Sequence, residues 1–485
     1  MLSVREVRDG ADVGKVSLPE EKALLEAFNR LTIQAQAERS PTLEMRCSWL
    51  KALERLIQEN RQALVDAVNR DFGQRSSVET RLAELFPSLE GVRHARRHLK
   101  GWMKPRRRGV SFWFAPAGAS VHPQPLGVVG VVVPWNYPLF LAFGPITAAL
   151  AAGNRVMVKM SEYTPATGEL LQRLARQYFG DDLLAVVNGG PELAQAFVRL
   201  PFDHLLFTGS TAVGRHVMRA AAENLTPVTL ELGGKSPALV ARGANLKRAA
   251  EAIVAGKMMN AGQTCVAPDY VLVNDKDCAL LLDEVREAAK RAYPTLANNP
   301  DYSAIVNDRH YQRLRGWLEG AREAGARIDE INPAGEELAA VRKLPLTLVQ
   351  RCPEDCALMQ EEIFGPILPV VAYDKFDEAL AYVNARPRPL ALYLFDDDPL
   401  RIDRVLQETI SGGVSINDTL LHVVQEDLPF GGVGPSGMGH YHGREGFLTF
   451  SKLKPVFRQS RWSGAWLTRP PYGAAVEWLL KLMLR

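Results

Sequence analysis

Cysteine is scarce in this sequence. The 485 residues include five cysteines, at positions 47, 265, 278, 352 and 356. A sparse and odd set of this kind indicates no disulfide framework and favours a reducing compartment, so we predict a cytoplasmic protein. Cys352 and Cys356 lie close together, but no histidine or second cysteine pair stands nearby to complete a zinc site. No metal site is therefore predicted.

An excess of charge of one sign is also lacking. The chain carries 58 basic and 55 acidic residues, which gives a formal net charge of +3 and indicates no polyanionic partner. The basic run at 104–108 (Lys-Pro-Arg-Arg-Arg) is more typical of a solvated surface turn than of a nucleic-acid site. The composition, 47% hydrophobic and 23% charged, is that of a globular protein, and the length favours two or three domains.

Aspartate, glutamate, lysine and arginine are all absent from residues 109–154, which raises the question of a membrane span. Pro134 and Pro145 interrupt this segment, and Gly127 and Gly130 lie in its most β-branched part. A run of Val-Val-Gly-Val-Val-Val followed by proline is better explained as a buried central strand of a parallel sheet.

The two termini carry no predicted membrane span. Arg5, Glu6, Arg8 and Asp9 have no apolar stretch behind them, so no secretory signal is predicted. An apolar helix is predicted at 476–484, and it is too short to cross a bilayer. Docking on the protein and lying on a membrane face are both compatible with it.

From residue 126 onward, strands alternate with helices. In the first series, strands are predicted at 127–133, 155–159, 184–188, 204–208, 228–232 and 237–240, with helices at 140–152, 166–178, 191–198 and 213–223. In the second series, helices are predicted at 246–260, 277–290 and 376–384, with strands at 269–273, 346–350 and 367–371. This alternation indicates βαβ units and an α/β fold with mostly parallel, doubly wound sheets.

The region before this alternation has a different character. Residues 19–70 carry helical spacing, and a further helix is predicted at about 77–101. Residues 109–123 predict an apolar strand, turn and strand without an obvious polar face. Such a hairpin tends to be covered, either by its own domain or by a partner subunit.

A carboxylate and a thiol carry the chemistry that we predict. Glu231 ends an apolar strand before Gly233-Gly234, and Cys265 closes the run Gly262-Gln263-Thr264-Cys265. Taken alone, each has a commoner structural role, as a surface charge and as a buried thiol. A carboxylate among apolar residues has a raised pKa and can act as a base, and a cysteine thiolate is a good nucleophile. We therefore predict that they meet in space as base and nucleophile, with the backbone N–H of Cys265 stabilising an oxyanion.

Asn136 stands in Pro134-Trp135-Asn136-Tyr137-Pro138, directly after the predicted central strand. Ligands of open α/β sheets bind at the carboxyl ends of the strands, and a side-chain amide there can donate to an oxyanion. A turn-forming asparagine between prolines explains the segment equally well.

Two glycine-rich segments are candidates for a nucleotide-binding site. Residues 432–437 match the letters of the dinucleotide fingerprint, but no strand precedes them and Pro435 stands where a helix would begin, so we reject them. Residues 207–214 follow a strand and open a helix, which places a pyrophosphate at the helix N-terminus. Lys159 and Glu162, just past another strand, predict contacts with ribose hydroxyls, although a solvated turn is the commoner explanation of that segment alone.

Together these motifs resemble the aldehyde dehydrogenase superfamily over about residues 25–455. The stretches that carry the resemblance are Pro134-Trp135-Asn136, Phe207-Thr208-Gly209-Ser210-Thr211, Glu231-Leu232-Gly233-Gly234-Lys235, Gly262-Gln263-Thr264-Cys265 and Glu362-Ile363-Phe364-Gly365-Pro366. Each is weak alone, but their joint order and spacing are specific. Residues 263–270 and 428–443 further resemble the class 3 branch, and residues 425–430 resemble the coniferyl aldehyde dehydrogenase group.

The resemblance implies a fold of two doubly wound parallel-sheet domains with a small bridging and oligomerisation hairpin. It implies an NAD-binding domain at 1–108 and 124–232, a catalytic domain at 233–432, bridging segments at 109–123 and 433–457, and a tail at 458–485. It also implies a homodimer and a small aldehyde substrate, either aromatic, such as coniferyl aldehyde, or a medium- to long-chain aliphatic one.

The resemblance also implies roles for residues that match the family's motifs. Cys265 attacks the aldehyde, Asn136 holds the oxyanion, and Glu231 activates water to hydrolyse the thioester. The implied cofactor-binding residues are Trp135, Lys159, Glu162, Gly209, Ser210, Gly214, Leu232, Glu362 and Phe364. Tyr137 and Asn417 are the implied substrate-pocket residues.

The sequence departs from the family pattern at Met160, where the family often has proline. NAD is the expected cofactor because Glu162 would repel the 2′-phosphate of NADP, and NADP use stays open.

Three other functions would use some of the same residues. A CoA-acylating dehydrogenase shares the thioester but needs no base such as Glu231. A cysteine hydrolase needs a histidine partner, and none lies close in sequence to either motif. An inactive homologue is disfavoured because Cys265, Glu231 and Asn136 are all retained.

Overall fold

The computed structural model describes residues 19–464 and 469–484. These residues form three β-sheets with helices packed around them. The charged residues near the N-terminus, for which no secretory signal is predicted, lie outside the described residues. Every helix in the described ranges is too short or too polar to cross a membrane.

The first large sheet contains the predicted central strand. Its six strands, in spatial order, are Gly437–Met438, Val228–Leu232, His204–Gly209, Val128–Val132, Arg155–Lys159 and Leu184–Val187. The last five are parallel and lie within one residue of their predicted bounds, whereas Gly437–Met438 runs antiparallel to Val228–Leu232.

Helices cover this sheet. They are Pro19–Ala37, Leu43–Glu59, Arg61–Phe72, Phe86–Trp102, Phe140–Ala152, Pro165–Phe179, Pro191–Val198, Thr211–Ala222 and Gly443–Thr449. Phe140–Ala152 buries twelve of its thirteen residues, since Leu43–Glu59, Phe86–Trp102 and Gly443–Thr449 all pack around it. This burial, together with that of the strand Val128–Val132, explains why residues 109–154 contain long charge-free stretches.

The second large sheet has seven strands. In spatial order they are Arg327–Ile331, Leu346–Gln350, Ile367–Tyr373, Tyr270–Asn274, Pro237–Val240, Ala391–Phe395 and Gly413–Ile416. All neighbours are parallel except Arg327–Ile331, which runs antiparallel to Leu346–Gln350. Its helices are Leu246–Met258, Asp275–Ala292, Asp308–Glu323, Ala357–Gln360, Phe376–Asn384 and Pro399–Glu408. Two helix-flanked, mostly parallel sheets are the fold class predicted from the alternation.

A small antiparallel sheet departs from the predicted hairpin at 109–123. Its strands are Arg106–Arg108, Gly118–Pro125 and Ser451–Arg458. The basic run at 104–108 is exposed, as predicted, but its last three residues form a strand, so the prediction of a turn is wrong for Arg106–Arg108. The apolar letters that suggested a first strand form the 3-10 turn Phe112–Phe114, whose side chains are exposed. The domain boundaries themselves stay predictions.

The helix predicted at about 77–101 is interrupted. It consists of an α-helical turn, Ser77–Thr80, a π-helical turn, Arg81–Leu85, and the α-helix Phe86–Trp102. Pro87 has no N–H to donate to the preceding turn, which favours the change of hydrogen-bonding pattern. This interruption matters because the π-helical turn carries Glu84, a buried carboxylate.

The C-terminal helix extends over Ala474–Met483, and none of its residues is buried against the described chain. Trp478 is 67% exposed. The apolar helix predicted at 476–484 is present, and its side chains are exposed or only partly buried.

Candidate active site

Glu231 lies in the interior of the first sheet. Its strand pairs with Thr208 on one side and with Gly437 on the other, and the residue is 3% exposed. Neither carboxylate oxygen has a hydrogen-bond partner among the described residues. Burial therefore raises the pKa of Glu231 well above its usual value. The predicted environment, a carboxylate among apolar groups, is what the fold provides.

The glycine pattern at 432–437, rejected above as a nucleotide site, ends in Gly437, which pairs with Glu231 in the sheet. A Cβ at Gly437, where φ is +145°, would come within 2.1 Å of the carbonyl oxygen of Leu230. Glycine is needed there because two backbones approach closely at an antiparallel pair. This explains the last glycine of the pattern, Gly437, without a nucleotide.

Cys265 follows a turn with unusual backbone geometry. The helix predicted to reach residue 260 ends at Met258, so that prediction is wrong at its C-terminal end. Asn260 and Ala261 have φ of 52° and 51°, and Gly262 has φ of 75°. Left-handed backbone costs an L-residue about 1–2 kcal/mol, so other contacts must hold this turn.

Two buried amide side chains hold it. The Nε2 of Gln263 donates to the carbonyl oxygens of Asn260 and Ala304 at 2.9 and 3.0 Å, and its Oε1 accepts from the N–H of Val306 at 2.9 Å. The Nδ2 of Asn260 donates to the carbonyl oxygens of Asn136 and Gln263, both at 3.1 Å. Sequence reasoning missed Asn260 as a functional residue, although it directly precedes the Ala-Gly-Gln-Thr-Cys run.

The thiol of Cys265 is neutral in this site at pH 7. Burial, and then the charges of Glu362 and Glu231, raise its pKa to about 12, while the backbone N–H groups of Cys265 and Val266 act in the opposite direction. A thiol of this kind becomes a nucleophile only when its proton is removed during the reaction. An acceptor for the thiol proton, either a side chain or a water molecule, is therefore a requirement of the reaction.

Asn136 reaches the cysteine loop from the first sheet. It is 3% exposed, and its Nδ2 donates to the carbonyl oxygen of Gln263 at 3.2 Å. One amide hydrogen makes this bond and the other remains for a ligand. The neighbouring Tyr137 shares a hydrogen bond of 2.7 Å with Thr264 through its hydroxyl, so both residues contact the segment that carries Cys265.

These side chains face one cleft of about 210 Å³ between the two large sheets. Its lining includes ten of the predicted residues and their neighbours: Pro134, Trp135, Asn136, Gly209, Ser210, Glu231, Leu232, Cys265, Glu362 and Phe364. The structure thus brings the predicted nucleophile, base and amide together with six of the predicted cofactor residues. The individual roles of these residues stay predictions.

Thr208, His310 and Arg313 also line the cleft, and sequence reasoning did not single them out. Thr208 lies in a stretch that carries the resemblance, so its place at a strand end was a usable signal. The other two lie on the helix Asp308–Glu323, which was not predicted because its sequence is largely polar.

His310 lines the same cleft as Cys265, so it is the candidate for the histidine partner that a cysteine hydrolase would require. Burial, with Arg313 and Arg309, lowers its pKa to about 4. Its ring packs 5.1 Å from that of Trp135. So weak a base does not match a thiol of high pKa, which argues against a hydrolytic thiol–imidazole pair.

Glu362 is held directly over the glycines that follow Glu231. A Cβ at Gly233 would lie 2.1 Å from the Oε2 of Glu362, so only glycine leaves room for the carboxylate. Burial raises the pKa of Glu362 to about 8, and its Oε1 has no hydrogen-bond partner among the described residues. Lys235 and Asp269 secure the loop, because Lys235 donates to the carbonyl of Glu361 at 3.0 Å and Asp269 accepts from the N–H of Ile363 at 3.0 Å.

Phe364 packs its ring 5.3 Å from that of Trp135, edge to face. Its φ of 52° is a strained conformation for an aromatic residue. Strain of this kind marks a position that the surrounding structure has fixed.

The predicted pyrophosphate and ribose residues extend along the same edge of the sheet. Ser210 caps the helix Thr211–Ala222, and Gly214 lets that helix pack closely because a Cβ there would lie 2.7 Å from Leu232. Lys159 is 2% exposed, and its Nζ lies 3.7 Å from the Oε2 of Glu162. Gly214, Lys159 and Glu162 do not line the cleft.

Asn417 lies away from the cleft lining. Its Nδ2 donates to the carbonyl of Asp396 at 2.9 Å and to Asp397 at 2.8 Å, and its Oδ1 accepts from the N–H of Asp396 at 3.0 Å. These bonds link two strand ends of the second sheet. Its role in a substrate pocket stays a prediction.

A comparison with known families decides which family this geometry represents. The model of the "Aldehyde dehydrogenase family" matches residues 2–456. The chain belongs to the aldehyde dehydrogenase family.

Comparisons with individual proteins support the same family. Over 459 residues the chain is 57% identical to a probable coniferyl aldehyde dehydrogenase of Pseudomonas aeruginosa, covering 94% of this chain and 96% of that protein. It is 40% identical over 440 residues to aldehyde dehydrogenase family 3 member A2 of Rattus norvegicus, covering 88% and 86% of the two chains. The substrate-bound structure of Staphylococcus aureus AldH is 38% identical, with a TM-score of 0.89, covering 95% of this chain and 99% of that one.

The resemblance stated from the motifs is thereby confirmed, including its class 3 and coniferyl aldehyde dehydrogenase features. The predicted fold class and the assignment as an aldehyde dehydrogenase enzyme are confirmed as well.

The high pKa of Cys265 predicts how the free aldehyde dehydrogenase reacts with alkylating agents. Because the pKa is about 12, the thiolate fraction should increase throughout the accessible pH range. We expect the rate of alkylation by iodoacetamide to rise about tenfold for each pH unit between 7 and 9. The measurement is mass spectrometry of the peptide that contains Cys265.

Glu362→Gln should speed this alkylation at pH 8 because it removes a charge that raises the thiol pKa. Glu361→Gln, at the exposed neighbouring position, is the matched control and should leave the rate unchanged. A plateau in the rate below pH 9 would contradict the raised pKa.

Proposed function

We propose that this aldehyde dehydrogenase oxidises an aldehyde to the carboxylic acid with NAD, or with NADP, through covalent intermediates on Cys265. The observation that carries the proposal is the meeting of three groups in one cleft: a partly buried thiol, a carboxylate without a hydrogen-bond partner among the described residues, and a side-chain amide. An aromatic aldehyde such as coniferyl aldehyde is the favoured substrate, since a relative of 57% identity is named for it. A medium- to long-chain aliphatic aldehyde is the alternative.

The residues of the cleft fit a nicotinamide dinucleotide. Thr208 Oγ1 and Glu362 Oε1 are buried without hydrogen-bond partners among the described residues. Both oxygens can form hydrogen bonds with ribose hydroxyls. The helix Thr211–Ala222 presents its N-terminus, where a pyrophosphate is stabilised by free N–H groups. Lys159 and Glu162, at the end of the strand Arg155–Lys159, would hold the adenosine ribose.

The first step is addition of the thiol to the aldehyde. The sulfur of Cys265 forms a bond to the carbonyl carbon, and the thiol proton passes to solvent, so that Glu231 can take up a proton in the last step. The carbonyl oxygen takes up negative charge, and the free amide hydrogen of Asn136 and the N–H of Cys265 stabilise it. The product is a thiohemiacetal.

When bound, the nicotinamide ring supplies the hydride acceptor that converts this thiohemiacetal to a thioester. Trp135 and Phe364, whose rings are in contact, help to close the cleft around the reacting carbon and exclude water from it.

The last step is hydrolysis of the thioester. Glu231 removes a proton from water as the water oxygen attacks the acyl carbon, and the sulfur of Cys265 leaves. Because burial raises the pKa of Glu231, its basic form is scarce at low pH and increases as pH rises. Transfer to CoA would need no such base, so an unpartnered carboxylate facing the cleft favours hydrolysis.

A homodimer in the cytoplasm is part of the same proposal. The small antiparallel sheet exposes Phe457 and Leu453, and the adjoining turn exposes Phe112, which is 83% exposed. A partner subunit is the favoured cover for such a surface. The exposed helix Ala474–Met483 is compatible with docking on a partner, or with a membrane face as a less favoured alternative.

Deacylation by Glu231 has a kinetic signature. Glu231→Gln should lower steady-state turnover about 10²-fold or more, since a general base contributes about 10²–10⁴-fold. The pre-steady-state burst of NADH should survive, because acylation and hydride transfer precede the step that is slowed. Stopped-flow absorbance with NAD and coniferyl aldehyde measures both quantities.

Cys265→Ala should abolish the burst while NAD binding persists, and Cys278→Ala is the matched control that should keep full activity. Loss of the burst in Glu231→Gln would show that Glu231 is required before hydride transfer. Absence of NADH from any aldehyde in an aromatic and aliphatic panel, with or without CoA, would refute the proposed function.

Cofactor preference depends on Glu162. A carboxylate beside the adenosine ribose repels a 2′-phosphate, so we expect higher catalytic efficiency with NAD than with NADP. Glu162→Gln should shift the NADP-to-NAD efficiency ratio toward NADP by about tenfold, a change of about 1.4 kcal/mol. Glu169→Gln, an exposed position on the following helix, is the control. Equal efficiencies of the unaltered enzyme with both cofactors would contradict the preference.

A further inference from the structure

A buried charge cluster lies beneath the segment that carries Asn136. The side chain of Arg75 is completely buried, with its Nε 3.9 Å from Glu79 and its Nη2 3.7 Å from Glu84. Removing such charges from water is unfavourable. These groups take no part in the proposed steps, so their retention in the interior requires another explanation.

Arg75 contacts the Asn136 segment directly. Its Nη1 donates a hydrogen bond of 2.9 Å to the backbone carbonyl of Asn136. The guanidinium carbon lies 4.9 Å from the ring of Tyr137 and 4.8 Å from the ring of Phe72, which adds cation–π attraction on two sides. One side chain thus fixes both Asn136 and the residue after it.

Glu84 holds the other end of the same segment. Its Oε2 accepts from the N–H groups of Leu139 and Phe140 at 2.7 and 3.2 Å, at the start of the helix Phe140–Ala152. A carboxylate there satisfies free N–H groups of the helix N-terminus. Arg75 and Glu84 together therefore hold the two ends of the segment 136–140 by hydrogen bonds.

Glu79 extends the cluster to the cysteine loop. Its two carboxylate oxygens accept from the N–H of Asn260, both at 3.1 Å, and one also accepts from the hydroxyl of Ser303 at 2.8 Å. Asn260 begins the left-handed turn that precedes Cys265. A single charged cluster thereby contacts both the segment that provides the amide and the loop that provides the sulfur.

We propose that Arg75 is a positioning residue for aldehyde oxidation, which holds the side-chain amide of Asn136 in register with the sulfur of Cys265. This inference rests on the proposed function, in which Asn136 stabilises the oxyanion. Lysine cannot replace Arg75, because its single ammonium group lacks the planar fork that reaches Asn136, Glu79 and Glu84 together.

A double-mutant cycle tests the inference. Asn136→Ala should slow the NADH burst about 10²–10³-fold, as expected for loss of one oxyanion donor. Arg75→Lys should slow the burst about 10²-fold by misplacing the amide. If Arg75 acts through Asn136, the double variant should be no more than about twofold slower than Asn136→Ala alone. NAD affinity, measured by fluorescence titration, should change less than about twofold in all three variants.

Arg46→Lys is the matched control. Arg46 is also a buried arginine, 3% exposed, but its Nη1 donates to the carbonyls of Ala151 and Ala152 at the opposite end of the helix Phe140–Ala152. It should lower the melting temperature without slowing the burst. If Arg75→Lys does not fold, Glu84→Gln replaces it in the cycle, because it keeps an acceptor for Leu139 while removing the charge that faces Arg75.

Three outcomes would overturn the inference. An unchanged burst in Arg75→Lys would do so, and so would a double variant slowed by the product of the two single factors. In both cases the proposed function would stand, provided that Asn136→Ala is slow. An unchanged burst in Asn136→Ala would overturn the oxyanion assignment and this inference together.

Discussion

The left-handed turn at 260–262 is the constraint on which the cleft depends. Asn260 and Ala261 occupy backbone conformations that L-residues avoid, and they direct the chain so that Cys265 faces Glu231 rather than continuing the helix Leu246–Met258. The strain is offset by buried amides, since Gln263 satisfies both its donor and its acceptor groups on Asn260, Ala304 and Val306. Breaking such hydrogen bonds in the interior is unfavourable, because it leaves buried polar groups without partners. The turn is therefore fixed in its left-handed conformation.

The same interior that fixes the loop controls the ionisation of its side chains. Cys265, Glu231 and Glu362 are acidic groups close together in a medium that disfavours charge, and each has a raised pKa. They cannot all ionise at once, because each negative charge opposes the next. The groups of the free site are therefore mostly neutral, and the proposed reaction must remove a proton first from the thiol and later from water.

Much of this arrangement was predictable. The strand bounds around Glu231 and Asn136 followed from apolar runs that end in glycine and proline, because buried parallel strands leave that pattern. The cleft followed from the rule that ligands bind at strand carboxyl ends. Asp308–Glu323 escaped prediction because its sequence is largely polar, and so His310 and Arg313 were missed. The prediction of helix to residue 260 was wrong because tertiary hydrogen bonds, not local propensity, set the backbone there.

By itself, the sequence determined the family motifs and the order of the elements that carry them, and these motifs predict the reacting groups. Each motif is weak alone, and only their joint order and spacing along the chain identify the candidates for nucleophile, base and amide. Only the tertiary structure decided what state those groups are in. Glu231 is buried between two strands, and its carboxylate has no hydrogen-bond partner among the described residues. The pKa of Cys265 is raised by burial and then by the charge of Glu362, which arrives from a distant loop. The contact of Arg75 with Asn136 was likewise decided only by the tertiary structure. The physical reason is that ionisation and orientation depend on neighbours that are remote in the chain and close in space.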